Sequence, residues 1–313
     1  MDTEKVIKNL NQKKIIITSI SIISILVLLI GGYFALKSVC KQKLLTDYKD
    51  IFKGLKEIAT YEEVDCEPLS QSLIIKDIKL KKDIGQKDLK LQSIFIKELV
   101  ISNIKKDKEL QTIVSASLKL KGIKIKDKNE TLEGDVLYKF AYDKDKSKLN
   151  INFYSDVYKK FALELGFSFG NVSKELIKEL INDKDKKDIN VNKYMPFILG
   201  ITIDKIHIKY QDKGYMQYIL EQTAKEQNLS VEEQKKMVVE NIDEELKKAK
   251  TDLERKFLEK FKALVEGKDK TVIIEITKKD GANTSLSTLM MAFMGSSEDT
   301  VNTIFNLFDI KIK

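Results

Sequence analysis

The sequence predicts an α+β fold, in which an N-terminal transmembrane helix is followed by a curved antiparallel β-sheet packed against long helices. The first observation behind this prediction is a run of 22 residues without a charge near the N-terminus. The second is a set of later segments in which apolar and polar residues alternate, as they do in strands with one dry face. The third is a pair of stretches beyond residue 213 in which apolar residues recur every three or four positions, as in amphipathic helices.

The uncharged run, Ile15 to Leu36, predicts a transmembrane signal anchor. As a helix it would extend roughly 33 Å, about the hydrocarbon thickness of a bilayer. Lysines flank both ends, and Tyr33 and Phe34 lie where interfacial aromatic residues are found. An uncleaved anchor is favoured over a cleaved signal peptide, a lipoprotein signal at Cys40 and a buried core helix. No small-x-small cleavage site follows the run, and the residues before Cys40 do not match a lipidation signal.

The predicted topology places residues 1–14 in the cytoplasm as a short tail. Lysines are nearly balanced on the two sides of the span, so the positive-inside rule does not decide the orientation. A short tail followed by one long domain is most often oriented with the tail inside. The sequence therefore predicts a single-pass protein of the inner (cytoplasmic) membrane with a periplasmic C-terminal domain, and the membrane is its first predicted partner.

Residues 37–70 are predicted to form a juxtamembrane helix and linker. Apolar residues recur every three or four positions between 41 and 59, so we expect a helix that packs on the following domain. An interfacial helix lying on the bilayer is the alternative. Cys40 and Cys66 are the two cysteines, and in an oxidising compartment a disulfide between them would close a loop of about 25 residues. Two unpaired thiols, or pairing with a partner protein, are the alternatives.

Residues 71–182 are predicted to form a β-rich unit. Strict alternation marks residues 114–120 and 161–169 as strands. Residues 136–142 and 149–153 flank a charged turn and predict a hairpin, so neighbouring strands are expected to be antiparallel. Less regular strands are predicted at 73–80, 91–101 and 122–126.

Residues 183–313 are predicted to form a strand-helix unit on the same sheet, after a short helix near 171–181 and a charged run. The pair Ser230 and Glu233 has the spacing of a capping box and predicts the start of a long second helix. The predicted elements in chain order are a strand or bent pair of strands at 198–210, helices at 214–227 and from 230 to about 266, a strand at 271–277, helical stretches at 284–294 and 298–307, and a strand at 308–312.

The composition argues against several kinds of chemistry. The chain has one histidine, two cysteines, no tryptophan and a formal net charge of +8. Multi-histidine zinc sites and four-cysteine clusters cannot be built from this set, and neither a metal nor a cofactor is predicted. Arg255 is the one arginine, and the lysines are interleaved with Asp and Glu. Since arginine is the preferred residue for phosphate and base contacts, we do not expect nucleic acid as a partner.

Candidate catalytic and metal-binding residues have simpler explanations. His207 lies on a predicted strand and is interpreted as a sheet-surface or partner-facing residue rather than a catalytic one. A group of aspartates could suggest calcium, but they alternate with lysines and lack the glycine and terminal glutamate of a calcium-binding loop. These aspartates are Asp143, Asp145, Asp183, Asp185 and Asp188.

The segment that begins at Tyr210-Gln-Asp212-x-Gly214-Tyr leads into a helix containing Ala224, then Asn228-Leu229-Ser230 and a second long helix. With the later strand at 271–277, this order resembles uncharacterised bacterial single-pass envelope proteins of the broad AsmA-like type. The resemblance covers about residues 200–312. It implies an N-terminal anchor that holds a periplasmic β-rich domain, and it implies no catalytic residues.

We therefore expect a membrane-anchored envelope protein that is not an enzyme. The first hypothesis is binding of a lipid or another apolar ligand between the dry sheet face and the helices. The second is a structural or adaptor role, in which helices at 214–266 dock another envelope protein as partner. An enzyme is the least favoured class. The residues predicted to line the apolar-ligand site are Phe161, Phe167, Met290 and Phe293.

Overall fold

A single antiparallel sheet contains all the strands that the structure describes. The structure is a computed structural model, which describes residues 36–47, 49–81, 93–126, 131–183, 191–294 and 303–313. From β3 onward, each strand pairs antiparallel with the next one along the chain, while β1 and β2 both pair with β3. Within these residues the strands are β1 (Ala59–Thr60), β2 (Glu63–Glu67), β3 (Ser72–Leu80), β4 (Ser93–Asp107), β5 (Thr112–Lys126), β6 (Thr131–Asp143), β7 (Lys148–Val157), β8 (Phe161–Gly170), β9 (Thr202–Asp212), β10 (Thr271–Lys278) and β11 (Phe308–Ile312).

Helices precede the sheet, connect its later strands and follow β10. Residues 36–47 and 303–307 are helical as well, and residues 191–193 form a single 3₁₀ turn. The labelled helices are α1 (Lys49–Ile58), α2 (Lys174–Asn182), α3 (Met195–Gly200), α4 (Tyr215–Gln227), α5 (Val231–Lys248), α6 (Asp252–Glu266) and α7 (Leu286–Phe293). Ser230 and Glu233 form a capping box at the start of α5, as the sequence predicts.

The strand register places apolar side chains on one face of the sheet across its full width. Directly paired residues in an antiparallel sheet point to the same side, so a row of pairs identifies a face. One such row contains an apolar or aromatic residue, or a cysteine, at every position. Its members are Cys66, Leu73, Ile101, Leu118, Tyr138, Phe153, Leu165, Ile208, Ile274 and Ile312. We call the side of the sheet that carries this row the apolar face.

The N-terminal helical residues cover the apolar face over its first strands. Leu44 and Phe52 are buried against side chains of β3 and β4, and Ile75 at the centre of this core is 0% exposed. Cys40 is joined to Cys66 by a disulfide, with the two Cα atoms 6.0 Å apart. The disulfide therefore fixes residues 36–47 to β2 at the edge of this core.

A second group of helices covers the other end of the apolar face. Helices α4, α5 and α6 pack against one another, and α6 also contacts β10 and β11. Leu253 of α6 lines the same cavity as Ile310 and Ile312 of β11, which places the start of α6 on the apolar side. The two helical groups thus cover opposite ends of the sheet and leave the middle strands between them.

The N-terminal part of the predicted fold class is wrong. In the part of the chain that the structure describes, no helix is both long enough and apolar enough to cross a membrane. The longest labelled helix, α5, has 18 residues, of which ten are charged, and a span needs about 20 mainly apolar residues. The predicted span from Ile15 to Leu36 lies, except for Leu36, outside the described residues. The architecture is instead a large antiparallel sheet with helices, and the single-pass inner-membrane localisation, which depended on the span, is corrected with it.

Candidate functional site

The candidate functional site is the part of the apolar face formed by β5, β6, β7 and β8. At its centre, Leu118 pairs with Tyr138, which pairs with Phe153, which pairs with Leu165. Neighbouring rows on the same side repeat the pattern, for example from Phe140 through Ile151 to Phe167. In these four strands, no residue on the apolar face carries a charge.

The apolar side chains of this region are only half-buried. Leu118, Tyr138, Phe153 and Leu165 are all intermediate in exposure, whereas the core over β3 and β4 contains buried residues such as Leu73 and Ile101. Apolar atoms left in contact with water carry a free-energy cost of roughly 25 cal/mol per Å². A contiguous apolar surface of this kind is typical of a ligand-binding or protein-binding site.

One end of the region is closed by the segment that follows β8. Val172 and Leu110 are buried there together with Tyr142, whose hydroxyl donates to the carbonyl oxygen of Val172 at 3.0 Å. Ile177 of α2 packs against this cluster. Between Ile177 and the sheet lies a cavity of about 290 Å³, whose apolar-face lining is Val114, Tyr138, Phe140, Tyr142, Leu149 and Ile151.

A second cavity lies at the other end of the same strands. It measures about 100 Å³ and is lined on the apolar face by Ile123, Ile125, Leu132, Val136 and Val157. From Val114 to Ile125 the strand β5 extends roughly 36 Å at about 3.3 Å per residue. The uncharged surface between the two cavities is therefore long and narrow, with its long axis parallel to the strands.

Aromatic side chains border the region where β9 turns into α4. The ring of Phe161 lies 6.0 Å from that of Tyr210 and 5.2 Å from that of Tyr215, measured between centroids. The hydroxyl of Tyr210 donates to Asp212 at 3.0 Å, and the backbone N–H of Met216 donates to the same carboxylate at 2.9 Å. Burial and the hydrogen bond to Asp212 raise the pKa of Tyr210 above its usual value. Asp212 thus fixes both the aromatic border and the start of α4.

The opposite face of the same strands carries their charged and amide side chains. Lys121 of β5 pairs with Glu98 of β4, and their charged groups are 2.5 Å apart. Farther along, Lys139, Asn152 and His207 occupy one row of this face. Each of the strands β5–β8 therefore has one apolar side and one polar side. An apolar ligand is expected to bind on the apolar side.

A charged cluster links two turns near the closed end. The ammonium group of Lys144 lies 2.9 Å from Asp107 and 3.0 Å from Glu109. The hydrogen bonds from Lys144 lower the pKa of both carboxylates, and the same bonds raise the pKa of Lys144. The cluster joins the β4–β5 turn to the β6–β7 turn beside the buried Leu110.

The structure brings two of the four predicted lining residues to the apolar face. Phe161 and Phe167 both lie on β8 with half-buried side chains, and the Phe167 ring stacks 6.2 Å from that of Phe169. Met290 and Phe293 lie on α7, where 51% and 66% of their surface is exposed. None of the four lines the two cavities described above.

The other residues considered from the sequence lie outside this region. His207 is on the polar face, 3.9 Å from Glu275. Asp143 accepts backbone hydrogen bonds within the β6–β7 turn. Asp183 accepts a hydrogen bond from the Tyr194 hydroxyl at 2.5 Å, while Asp185 and Asp188 fall outside the described residues. Within the described part of the chain, no group of three or more His, Cys, Asp or Glu side chains is arranged to hold a metal ion.

Several residues of the site were missed by sequence reasoning. Val114, Tyr138 and Ile151 were recognised as strand residues but not as lining residues. The sequence signal that could have identified them is the alternation of apolar and polar residues in three successive segments. Antiparallel pairing brings the apolar residues of these segments onto one face. Ile177 could not be assigned, because its position depends on how α2 folds back over the sheet.

The fold and the site define a class of protein: an antiparallel meander whose broad apolar face is covered by helices at both ends and half-open in the middle. The chain belongs to a family described as uncharacterized protein, whose model matches residues 155–313, about half of the chain. It is similar to an uncharacterized protein of Aquifex aeolicus (strain VF5), with 24% identity over 235 residues, which cover 69% of this chain and 73% of that protein. Neither description refers to the AsmA-like type, so that resemblance stays a prediction.

Proposed function

We propose that the chain binds an elongated apolar ligand, such as a lipid acyl chain, along the apolar face of β5–β8. The observation that carries this proposal is the uncharged, half-buried surface between the two cavities. A ligand laid parallel to the strands would cover side chains such as Leu118 and Phe153. Each 100 Å² of apolar surface removed from water would contribute about 2.5 kcal/mol before the entropic cost of binding.

The shape of the region supports a chain-like ligand over a compact one. The surface extends roughly 36 Å along the strands, somewhat more than the roughly 30 Å that two acyl chains fill end to end in a bilayer. The larger cavity, beneath Ile177, would accept one end of such a chain. A compact ligand would contact only one of the two cavities.

The proposed role is binding rather than catalysis. The polar groups on this face of β5–β8 are hydroxyls, including those of Tyr138, Tyr142 and Ser155. A general acid or base acting at neutral pH is usually a histidine, a carboxylate or a shifted lysine. The one histidine, His207, lies on the opposite side of the sheet.

The experiment that tests this proposal is a titration of the purified full chain with a fluorescent palmitate analogue, paired with native mass spectrometry for co-purified lipid. We expect saturable binding at one or a few sites with a micromolar dissociation constant, and competition by unlabelled palmitate. Unsaturable binding, together with protein that carries no lipid, would overturn the proposal.

A second candidate function is docking of another protein through the long helices, which we keep because α6 carries exposed aromatic side chains. Phe257 and Phe261 are 44% and 37% exposed, and their spacing of four places them on one side of α6. The double variant Phe257→Ser/Phe261→Ser separates the two functions. Ligand binding on the sheet should survive this change, whereas docking through α6 should be lost.

A further inference from the structure

The last strand of the sheet, β11, has one side without a strand partner. It pairs with β10 on one side, and no described strand lies on the other. Lys313 and Ile273 exchange two backbone hydrogen bonds of 2.9 Å. Because backbone groups alternate in direction along a strand, the N–H and C=O groups that point away from β10 are those of Phe308, Ile310 and Ile312.

We propose that two copies of the chain associate by antiparallel pairing of their β11 strands about a two-fold axis at Ile310. In this register Ile310 lies opposite Ile310 of the second copy, and Phe308 lies opposite Ile312. Each outward-pointing N–H group then meets a C=O group of the other copy. A strand edge left unpaired is a template for such pairing, and this inference does not depend on ligand binding.

The charges on the polar side of β11 select this register. Asp309 and Lys311 are both exposed. The proposed pairing places Asp309 of each copy opposite Lys311 of the other, in non-hydrogen-bonded pairs with Cα atoms about 4.5 Å apart. Sliding one strand by two residues along the other would place Asp309 opposite Asp309 in one direction and Lys311 opposite Lys311 in the other direction. Like charges directly opposite each other are destabilising, so one register is favoured.

The apolar side of β11 is suited to the same pairing. Ile310 and Ile312 are half-buried on the apolar face and border a cavity of about 430 Å³, which Leu253 and Phe305 also line. The pairing would continue the apolar row of each sheet into the other copy and bring the two cavities side by side. Apolar surface at the sheet edge would thereby be covered.

Cysteine cross-linking of the full chain tests the pairing and its register. Non-hydrogen-bonded pairs have Cα separations within the range of a disulfide. The double variant Asp309→Cys/Lys311→Cys should form a covalent dimer under mild oxidation, and so should an equimolar mixture of the two single variants. Each single variant alone is the matched control and should stay uncross-linked. A single variant that cross-links as well as the double variant overturns the register, and a double variant that stays monomeric overturns the pairing.

Charge reversal gives a second test that leaves the backbone unchanged. Asp309→Lys and Lys311→Glu should each weaken self-association about tenfold, because each sets like charges opposite each other twice. A mixture of these two variants should form a heterodimer, since every facing pair then has opposite charges. Analytical ultracentrifugation of each variant and of the mixture measures this. A wild-type chain that is monomeric at high micromolar concentration, or a mixture no tighter than the separate variants, contradicts the proposal.

Discussion

Phe153 of β7 lies directly opposite Leu165 of β8 on the apolar face, while the adjacent Asn152 points to the polar face. This alternation provides a matched pair of substitutions one residue apart. Phe153→Glu places a charge in the middle of the proposed binding surface, and Asn152→Glu places the same charge in water.

We expect Phe153→Glu to weaken binding of the palmitate analogue by a factor of ten or more, because an ionised carboxylate would have to be desolvated against the ligand. Asn152→Glu should bind as the wild type does. Circular dichroism verifies that both variants fold, and Phe153→Ser is the milder substitute if the glutamate variant does not. Equal loss of binding in the two glutamate variants would place the ligand somewhere other than the apolar face.

The disulfide between Cys40 and Cys66 predicts a large effect of reduction on stability. The bond spans a separation of 26 residues and fixes residues 36–47 to β2. In the chain-entropy account, a loop of this length corresponds to a stabilisation of about 3 kcal/mol. Urea unfolding should therefore show a free energy lower by about that amount when reductant is added. Cys40→Ala should show the same loss without reductant and no further loss with it, and an unchanged midpoint would refute the prediction.

Asp212 should contribute strongly to the corner between β9 and α4. Its carboxylate accepts hydrogen bonds from the hydroxyl of Tyr210 and from the backbone N–H groups of Gly214 and Met216. Asp212→Ala leaves these donors without their acceptor and should lower the free energy of unfolding by about 2 kcal/mol. Tyr210→Phe removes only one donor and should cost less. If the two variants unfold at the same denaturant concentration, the backbone hydrogen bonds to Asp212 do not contribute to stability as predicted.

The cluster of Lys144, Asp107 and Glu109 predicts a pH-dependent contribution to stability. The folded-state pKa of each carboxylate is lowered below its ordinary value, 3.8 for Asp107 and 4.5 for Glu109. Their contribution is therefore present above those values and is lost as the pH falls through the lowered folded-state pKa. Lys144 has a raised pKa, so its contribution is present below 10.5 and is lost only above that value.

Lys144→Met should therefore be less stable than the wild type at pH 7, and the difference should shrink as the pH falls from about 5 towards 2. Urea unfolding of both proteins across this range measures the difference. Lys146→Met is the control, because Lys146 is more exposed than Lys144 and its ammonium group lies 3.8 Å from Asp143. A stability difference that stays constant down to pH 2 would show that the hydrogen-bonded charges are not its origin.

Local periodicity predicted many of the strands. The alternation at 114–120, 136–142, 149–153 and 161–169 places strands where the structure has β5, β6, β7 and β8. The short β2 was missed, since five residues with three carboxylates have little apolar pattern. Strand β4 and strand β5 are longer than their apolar runs suggest, because register shifts carry the pairing past polar residues.

In the helical half of the chain, the prediction overlooked a helix start that the sequence indicates. A single helix was predicted from Ser230 to about residue 266, whereas the chain breaks between Lys248 and Asp252. Thr251 caps α6 by accepting a hydrogen bond from the N–H of Glu254 at 3.1 Å. The Thr-x-x-Glu spacing of a helix start was therefore visible in the sequence.

The candidate site could be predicted only in part, because its lining depends on contacts between distant segments. The aromatic residues of β8 were identified from their alternation. Met290 and Phe293 were grouped with them because α7 is strongly apolar, yet both are more than half exposed. The order of the strands in the sheet and the position of α2 over the sheet decide which apolar segments face one another. Neither can be predicted from a local sequence pattern.

The most direct test of the apolar face as a binding surface is photolabelling of the full chain with a photoactivatable palmitate analogue, followed by peptide mapping of the labelled residues. We expect adducts with a period of two along β5–β8, at residues such as Leu118, Tyr138 and Phe153, and competition by unlabelled palmitate. Adducts concentrated on polar-face residues such as Lys139 and Asn152, or spread evenly over the chain, would contradict this expectation.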